Sequence, residues 1–280
     1  MSLMEEGRLD EQLGSVIKGK YRIERLLGEG GFGAVFLATH LQGRVELGKV
    51  VVKRLHPQIA ASEVVRRQFF DEVRIARELR NPHIVRVFDL DKDEDGIPFL
   101  VQEFVEGQGL DELLDRCGRL SPAQAITVIL GIAEGLAEAH AKQIIHRDIK
   151  PENIRLDRET GMVKILDFGI ARVVGPHGTA TTSLIGTPRY MAPEQIRRHQ
   201  LDGRADIFAL GVMLFELIAG EPPIPCEESE MDYLHLNLSR DPRPLEAVYS
   251  ECPDDLASLV KSMLAKEPDR RPPGTRRSKP

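Results

Sequence analysis

His146-Arg147-Asp148-Ile149-Lys150-Pro151-Glu152-Asn153 and, a short way on, Asp167-Phe168-Gly169 gather three carboxylates, Asp148 and Asp167 among them, a carboxamide, a lysine and an arginine into one stretch of chain. These side chains can hold a metal-bound triphosphate beside a hydroxyl nucleophile. Phosphoryl transfer asks little covalent chemistry of a protein. It needs positioning, charge neutralisation, a base near the attacking oxygen and oxygen ligands for magnesium. Asp148 can be the base, Asn153 and Asp167 the metal ligands, and Lys150 the neutralising cation.

Upstream, Gly28-Glu29-Gly30-Gly31-Phe32-Gly33-Ala34-Val35 fits G-x-G-x-x-G-x-V. Glycine lets backbone approach a phosphate with no Cβ in the way, although the same pattern also makes a plain hairpin turn. A dinucleotide site wants strand, glycines, then helix. Here Ala34 to Ala38 reads as strand, which favours a loop folded over a nucleotide. Lys53 ends the run Val50-Val51-Val52. It is a solvated edge residue unless a neighbouring helix supplies a carboxylate. Glu72 supplies one, with Asp71 its rival; Phe69, Val73 and Ala76 place the inward face nearer Glu72. Such a pair would hold the lysine against the α- and β-phosphates.

The elements that must position these groups change character along the chain. Tyr21 to Gly28, Gly33 to His40 and Leu47 to Leu55 read as strands, Ser62 to Leu79 as a helix stopped by Asn81-Pro82, and Val85 to Leu90 and Phe99 to Phe104 as short strands. Beyond Gly107 the pattern turns helical. Ser121-Pro122 is a helix start, and Ala125, Val128, Ile129, Ile132, Leu136 and Ala139 recur at helical spacing. Ile207 to Ala219 is apolar nearly all round, the mark of a helix buried on every side. Asp254 to Leu264 reads as a further helix.

Bulk properties exclude several classes. A length of 280 residues suffices for two lobes with sizeable cores. A net charge of −6 gives no support to a nucleic-acid role. Three widely spaced cysteines (Cys117, Cys226, Cys252) argue against a disulfide framework and for a reducing compartment. The acidic N-terminus lacks the pattern of a secretory signal, and the longest apolar run, interrupted by Glu216, is too short to span a bilayer. The expectation is a soluble, cytoplasmic chain.

The glycine loop, lysine, catalytic loop and Asp-Phe-Gly occur in one order, and together they resemble the signature set of the eukaryotic-type protein serine/threonine kinase family, most of all its bacterial members. The resemblance runs from Tyr21 to Pro272. It implies an α+β, two-lobed protein-kinase-like fold: a small antiparallel β-sheet lobe with one helix, and a larger, mainly helical lobe. It divides the chain into an N-terminal extension (1–18, expected to be flexible), a kinase domain (19–272; N-lobe 19–103, hinge 103–107, C-lobe 108–272) and a basic tail (273–280, expected to be disordered).

The same resemblance implies ATP and Mg²⁺ as cofactors. Asp148, Lys150, Lys53 and Glu72 would be catalytic, and Asn153 and Asp167 would hold the metal. Gly28, Gly30, Gly33, Val35, Val51, Lys53, Gln102, Glu103, Val105, Arg155 and Asp167 would surround the nucleotide. Gly186 to Glu194 looks like the substrate-binding segment, with Thr187 at the acceptor and Glu194 paired to Arg271. Asp206 would anchor the catalytic-loop backbone, although a helix N-terminal acid is the plainer reading. Lys150 and Thr187 are similar to the serine/threonine branch. Thr181 and then Thr179 are the expected phosphorylation sites, with Arg147 the cation on which a phosphate could dock. The implied partners are proteins bearing serine or threonine and, for autophosphorylation in trans, a second copy of the chain.

Three departures cluster where the family places adenine. Val51 stands for the usual small alanine, Arg155 for the usual Leu or Met, and Gln102 at the position that controls the back pocket. Arg155 reads either as a stem along the pocket with its head in solvent or as a guanidinium near the purine. After Arg271-Pro272 the sequence Pro273-Gly274-Thr275-Arg276-Arg277-Ser278-Lys279-Pro280 has no pattern for the family's last helix. Two rival readings are a catalytically weak pseudokinase acting as a binding module, and a small-molecule kinase of the same fold. The first is opposed by the presence of Lys53, Asp148, Asn153 and Asp167, the second by Gly186 to Glu194.

Overall fold

The structure, a computed structural model, describes residues 13–31, 33–168, 187–226 and 229–273; the side chains of Gln68, Asp71, Glu72 and Ile75 are outside it. The chain divides into two compact units, Met1–Glu78 with Val85–Phe104, and Leu79–Ile84 with Val105–Pro280.

The first unit is built on alternation. Strands β1 (Val16–Ile17), β2 (Tyr21–Gly30), β3 (Gly33–Gln42), β4 (Val45–Leu55), β5 (Val87–Lys92) and β6 (Pro98–Glu103) form one antiparallel sheet in the order β1-β2-β3-β4-β6-β5. Successive side chains of a strand face opposite ways. Tyr21 and Ile23, Ala34, Phe36 and Ala38, Val50 and Val52, and Phe99 and Val101 therefore share one face and pack as its core. Two helices, α1 (Pro57–Ala60) and α2 (Glu63–Ala76), follow β4, the second inserting Phe69, Val73 and Ala76 among buried residues. The 1–18 extension differs from expectation in its last residues. Val16 and Ile17 pair with Arg22 and Tyr21, and Ile17 is buried, because an apolar side chain next to an open sheet edge gains both burial and backbone bonds.

The second unit captures Leu79–Ile84, which the sequence reading placed in the N-lobe. Leu79 is buried, the Arg80 N–H donates to the Glu138 carboxylate (3.0 Å), Asn81 Nδ2 donates to the Glu134 carbonyl (3.1 Å), and the His83 carbonyl accepts from Ile165 N–H (2.8 Å). A three-stranded sheet of β7 (Gly107–Gly109), β8 (Ile154–Asp157) and β9 (Val163–Ile165), and helix α3 (Leu110–Cys117), complete its start. Helix α4 (Pro122–Ala141) begins at a capping box: Ser121 Oγ accepts from Gln124 N–H while Gln124 Oε1 accepts from Ser121 N–H. Its predicted apolar positions, Ala125 to Ala139, are all buried. Short helix α5 (Pro193–Ile196) precedes α6 (Arg204–Ala219), which is buried at every position from Ala205 to Ile218 and ends at Gly220 in the left-handed conformation (φ 76°). Helices α7 (Tyr233–Ser239) and α8 (Asp254–Met263) follow.

Candidate active site

The loop that carries Asp148 hangs from the start of α6. Asp206 is 1 % exposed, and its two oxygens accept three N–H groups. Oδ1 takes Arg147 N–H (2.8 Å); Oδ2 takes His146 N–H (2.9 Å) and His140 Nε2 (2.7 Å). Arg147 has φ 71°, a conformation costly for a non-glycine residue and sustained only when its surroundings over-determine it. The paired bonds to Asp206 supply that constraint. His146 is fully buried; its Nε2 donates to the Leu166 carbonyl (2.7 Å), its Nδ1 accepts Asp148 N–H (3.3 Å), and its ring meets Phe168 edge-on at 4.7 Å. Burial pushes the imidazole below its ordinary pKa, in keeping with a neutral tautomer whose Nε2 carries the proton.

This frame presents four of the expected groups together. Asn153 Nδ2 donates to the Asp148 carbonyl (2.7 Å) and to Asp148 Oδ2 (3.0 Å). Both amide N–H groups are thereby committed, and Oδ1 is left as an oxygen donor. Lys150 Nζ lies 3.3 Å from Asp148 Oδ2 and donates to Thr187 Oγ1 (2.9 Å). Thr187 N–H reaches Asp148 Oδ1 at 3.4 Å. Leu166 N–H bonds the Asn153 carbonyl (2.8 Å), which brings the following Asp167, itself at φ 61°, alongside Asn153 in the chain path. Glu194 and Arg271 pair through two bonds, 2.6 and 2.8 Å.

In the first unit the register gathers another set on the sheet face opposite the core. Val35, Lys53 and Leu100 are successive cross-strand partners, as are Leu37, Val51 and Gln102. Gly28 lies opposite Val35. Burial pushes the Lys53 ammonium from its ordinary value down to about 7. Glu103 lies on the other face, opposite Val50, and its carboxylate accepts Arg86 N–H (3.1 Å). Val105, buried, belongs to the second unit. The Glu72 and Asp71 side chains, and Thr179, Thr181 and the rest of Gly169–Gly186, lie outside the described residues.

The residues suit a magnesium–nucleotide ligand. A Cβ at Gly28 or Gly30 would meet nothing within 4 Å, and neither has a left-handed φ, so the fold itself does not demand glycine there. At Gly33 it does, since a Cβ would stand 2.0 Å from the Arg54 carbonyl. Among the described residues no three His, Cys, Asp or Glu side chains form a metal cage. A site of one carboxylate and one amide oxygen is what magnesium uses when phosphates complete its shell.

Arg155 is half-buried, with its head turned to backbone. Its Nη2 donates back to the Gly107 carbonyl across the β7–β8 pair, and its Nε is buried without a partner. Two residues that sequence reasoning passed over also serve the site. Gln195 Nε2 donates to the Arg147 carbonyl (2.9 Å), and Asn237 Nδ2 points at the carbonyls of 188–191. Neither carries a local signal, since a side-chain amide reaching a distant carbonyl leaves no periodicity.

Comparison with known proteins agrees with this geometry. The protein kinase domain model matches residues 21–277. The serine/threonine-protein kinase pkn3 of Myxococcus xanthus is 38% identical over 84% of this chain and 44% of its own length. PknB of Mycobacterium tuberculosis is 35% identical over 92% of this chain and 41% of its own. The chain thus spans less than half the length of these curated relatives. The crystal structure of the Mycobacterium tuberculosis PknI kinase domain superposes with a TM-score of 0.71 at 28% identity, over 94% of both chains. Motif order, fold and these relatives together place the chain in the protein kinase family.

Proposed function

We propose that this chain transfers the γ-phosphoryl group of ATP to serine and threonine hydroxyls of proteins, its own activation segment among them. The observation that carries the reading is the Asp148 carboxylate, held by Asn153 and Lys150 within reach of Thr187. A carboxylate has about four lone-pair sites, so Asp148 keeps acceptor capacity for the proton of an incoming hydroxyl. Lys150, beside it, balances charge that builds on the transferring group. Thr187 joins the acceptor segment to the base, which favours a serine/threonine acceptor. Asn153 Oδ1 and Asp167 would hold Mg²⁺; when bound, the ion neutralises phosphate charge. Gly28, Gly30 and Lys53 would hold the phosphates, and Val35, Val51, Gln102, Glu103, Val105 and Arg155 the adenosine. No helix among the described residues is long and apolar enough to cross a membrane. The need for ATP points to the cytoplasm.

Incubating the pure chain with Mg²⁺-ATP and a serine/threonine peptide library, then mapping phosphate by mass spectrometry, tests the reading. Phosphate on serine and threonine is expected, falling at least about 10²-fold in Asp148→Asn, the lower range for loss of a general base. Transfer at the wild-type rate by that variant would refute the assignment.

A further inference from the structure

Helix α7 presents two residues, one helical turn apart, to the segment that follows Thr187. Tyr233 and Asn237 are both buried, on one face. The Tyr233 ring lies 5.5 Å beneath the Arg189 guanidinium. Asn237 is 2 % exposed, and its Nδ2 faces three backbone carbonyls, Pro188 (3.0 Å), Arg189 (3.3 Å) and Met191 (3.0 Å). With three acceptors on that side, the NH₂ end must be the end turned toward them.

These carbonyls belong to a single 3₁₀ turn, Pro188–Tyr190, and the residue after it. The Pro188 carbonyl already takes Met191 N–H (3.2 Å). Among the described residues, the Arg189 and Met191 carbonyls find their donor in Asn237. A buried carbonyl without a donor is costly, so the turn keeps this shape because the amide is there. At the turn's other end, Thr187 is tied to Lys150 and Asp148. Farther on, Gln195 Nε2 bonds the Arg147 carbonyl (2.9 Å). The segment is thus pinned to the catalytic loop at both ends and to α7 in the middle.

We infer that Asn237 is a positioning residue for the acceptor: its amide sets the path of Pro188–Met191, and so decides where the acceptor chain lies relative to Asp148. The inference rests on the reading of this segment as the acceptor-binding element. Arg189 strengthens it. Its guanidinium is drawn off to Glu216 and Glu230 (both 2.8 Å), which keeps its side chain on the α6 and α7 side of the turn.

The experiment compares wild type, Thr187→Ala, Asn237→Leu and Asn237→Ser. It measures kcat and KM for an acceptor peptide, Kd for Mg²⁺-ATP by calorimetry, and Tm. No transfer by wild type would remove the kinase reading itself. Unaltered acceptor kinetics in Thr187→Ala would remove the segment reading while leaving the kinase. With both standing, Asn237→Leu, of similar size but unable to donate, should raise acceptor KM at least about fivefold, as a lost buried donor predicts, and leave Kd for ATP within about twofold. Asn237→Ser, which keeps one donor, should recover part of the acceptor KM. Unchanged acceptor KM in Asn237→Leu overturns the inference. So does an equal loss of ATP affinity, or failure of both variants to fold, since either assigns Asn237 to the core alone.

Discussion

Arg271 offers the sharpest test of the packing. Its side chain is fully buried, Glu194 is nearly so, and all five guanidinium N–H groups are used. Two go to Glu194, at 2.6 and 2.8 Å. Nε donates to Ala265 O, Nη1 to Arg204 O and Nη2 to Lys266 O, at 2.8, 2.8 and 3.1 Å. The guanidinium carbon stands 5.0 Å from the Phe208 ring centre. Arg271→Met keeps much of the stem and removes the fork. A buried pair broken from one side costs about 3–5 kcal/mol, because the surviving charge is uncompensated. Three abandoned carbonyls, partly re-satisfied by relaxation, push toward the upper end, so about 4–5 kcal/mol is expected. Glu194→Gln keeps one acceptor for the arginine and should cost less, about 3 kcal/mol. The double variant should cost clearly less than the two singles added, with a coupling of about 2–3 kcal/mol. Urea unfolding followed by circular dichroism measures this, since the chain has no tryptophan. Single-variant losses below about 1 kcal/mol, or strict additivity, would show that the pair is solvent-screened and the reasoning wrong.

Asp167→Asn and Lys53→Met should each abolish phosphoryl transfer at saturating Mg²⁺-ATP while preserving the circular-dichroism spectrum; near-normal turnover in either would sink its assigned role. Autophosphorylation should map to Thr181 first and Thr179 second, and the Thr179→Ala/Thr181→Ala variant should lose activity; phosphate found only elsewhere, with full activity in that variant, would end the regulatory reading. Burial lowers the His146 pKa in the folded chain, so the unfolded chain takes up its proton first as pH falls. Its contribution to stability is therefore complete above about pH 6.5, the ordinary histidine value, and lost progressively below it. His146→Phe should flatten that acid limb in thermal melts, and an unchanged slope between pH 6.5 and 5 would contradict the assignment.

Much of the fold was legible because it is written in local patterns. Phe36, Val52 and Val101 alternate with Leu37, Val51 and Gln102, so strand and face could be read together. The α4 helix announced itself with Ser121-Pro122 and its apolar stripe. Gly107–Gly109 and Val163–Ile165 carry no strand signal, since three residues are too few to show alternation and two of the first three are glycines. Leu79–Ile84 groups with the second unit, although its place between strand and helix signals reads as N-lobe. Asn81-Pro82 reads as a helix stop, but nothing in it announces that the Asn81 amide and His83 carbonyl will bond the second unit. At the site, Asp148 to Asn153 can be proposed from sequence because their chemistry is specific to type. What the sequence withheld was direction. Arg155 reads as a pocket or solvent residue, and nothing local tells that its guanidinium bonds the Gly107 carbonyl. Asn237 was invisible, lying far along the chain from the carbonyls it holds.

The burial of α6 on every side has a consequence for how this protein tolerates change. A helix with no solvent-facing stripe cannot shift to absorb a poor fit, and Asp206 at its first turn carries the backbone of His146 and Arg147. Precision at the catalytic loop is therefore a property of the interior. A cavity opened beside Phe215 or Leu214, remote in sequence from Asp148, has no compliant surface to relax into, so its strain is passed along close-packed neighbours toward Asp206. Variation that looks like a matter of stability in this helix should be heard at the loop as a change in aim.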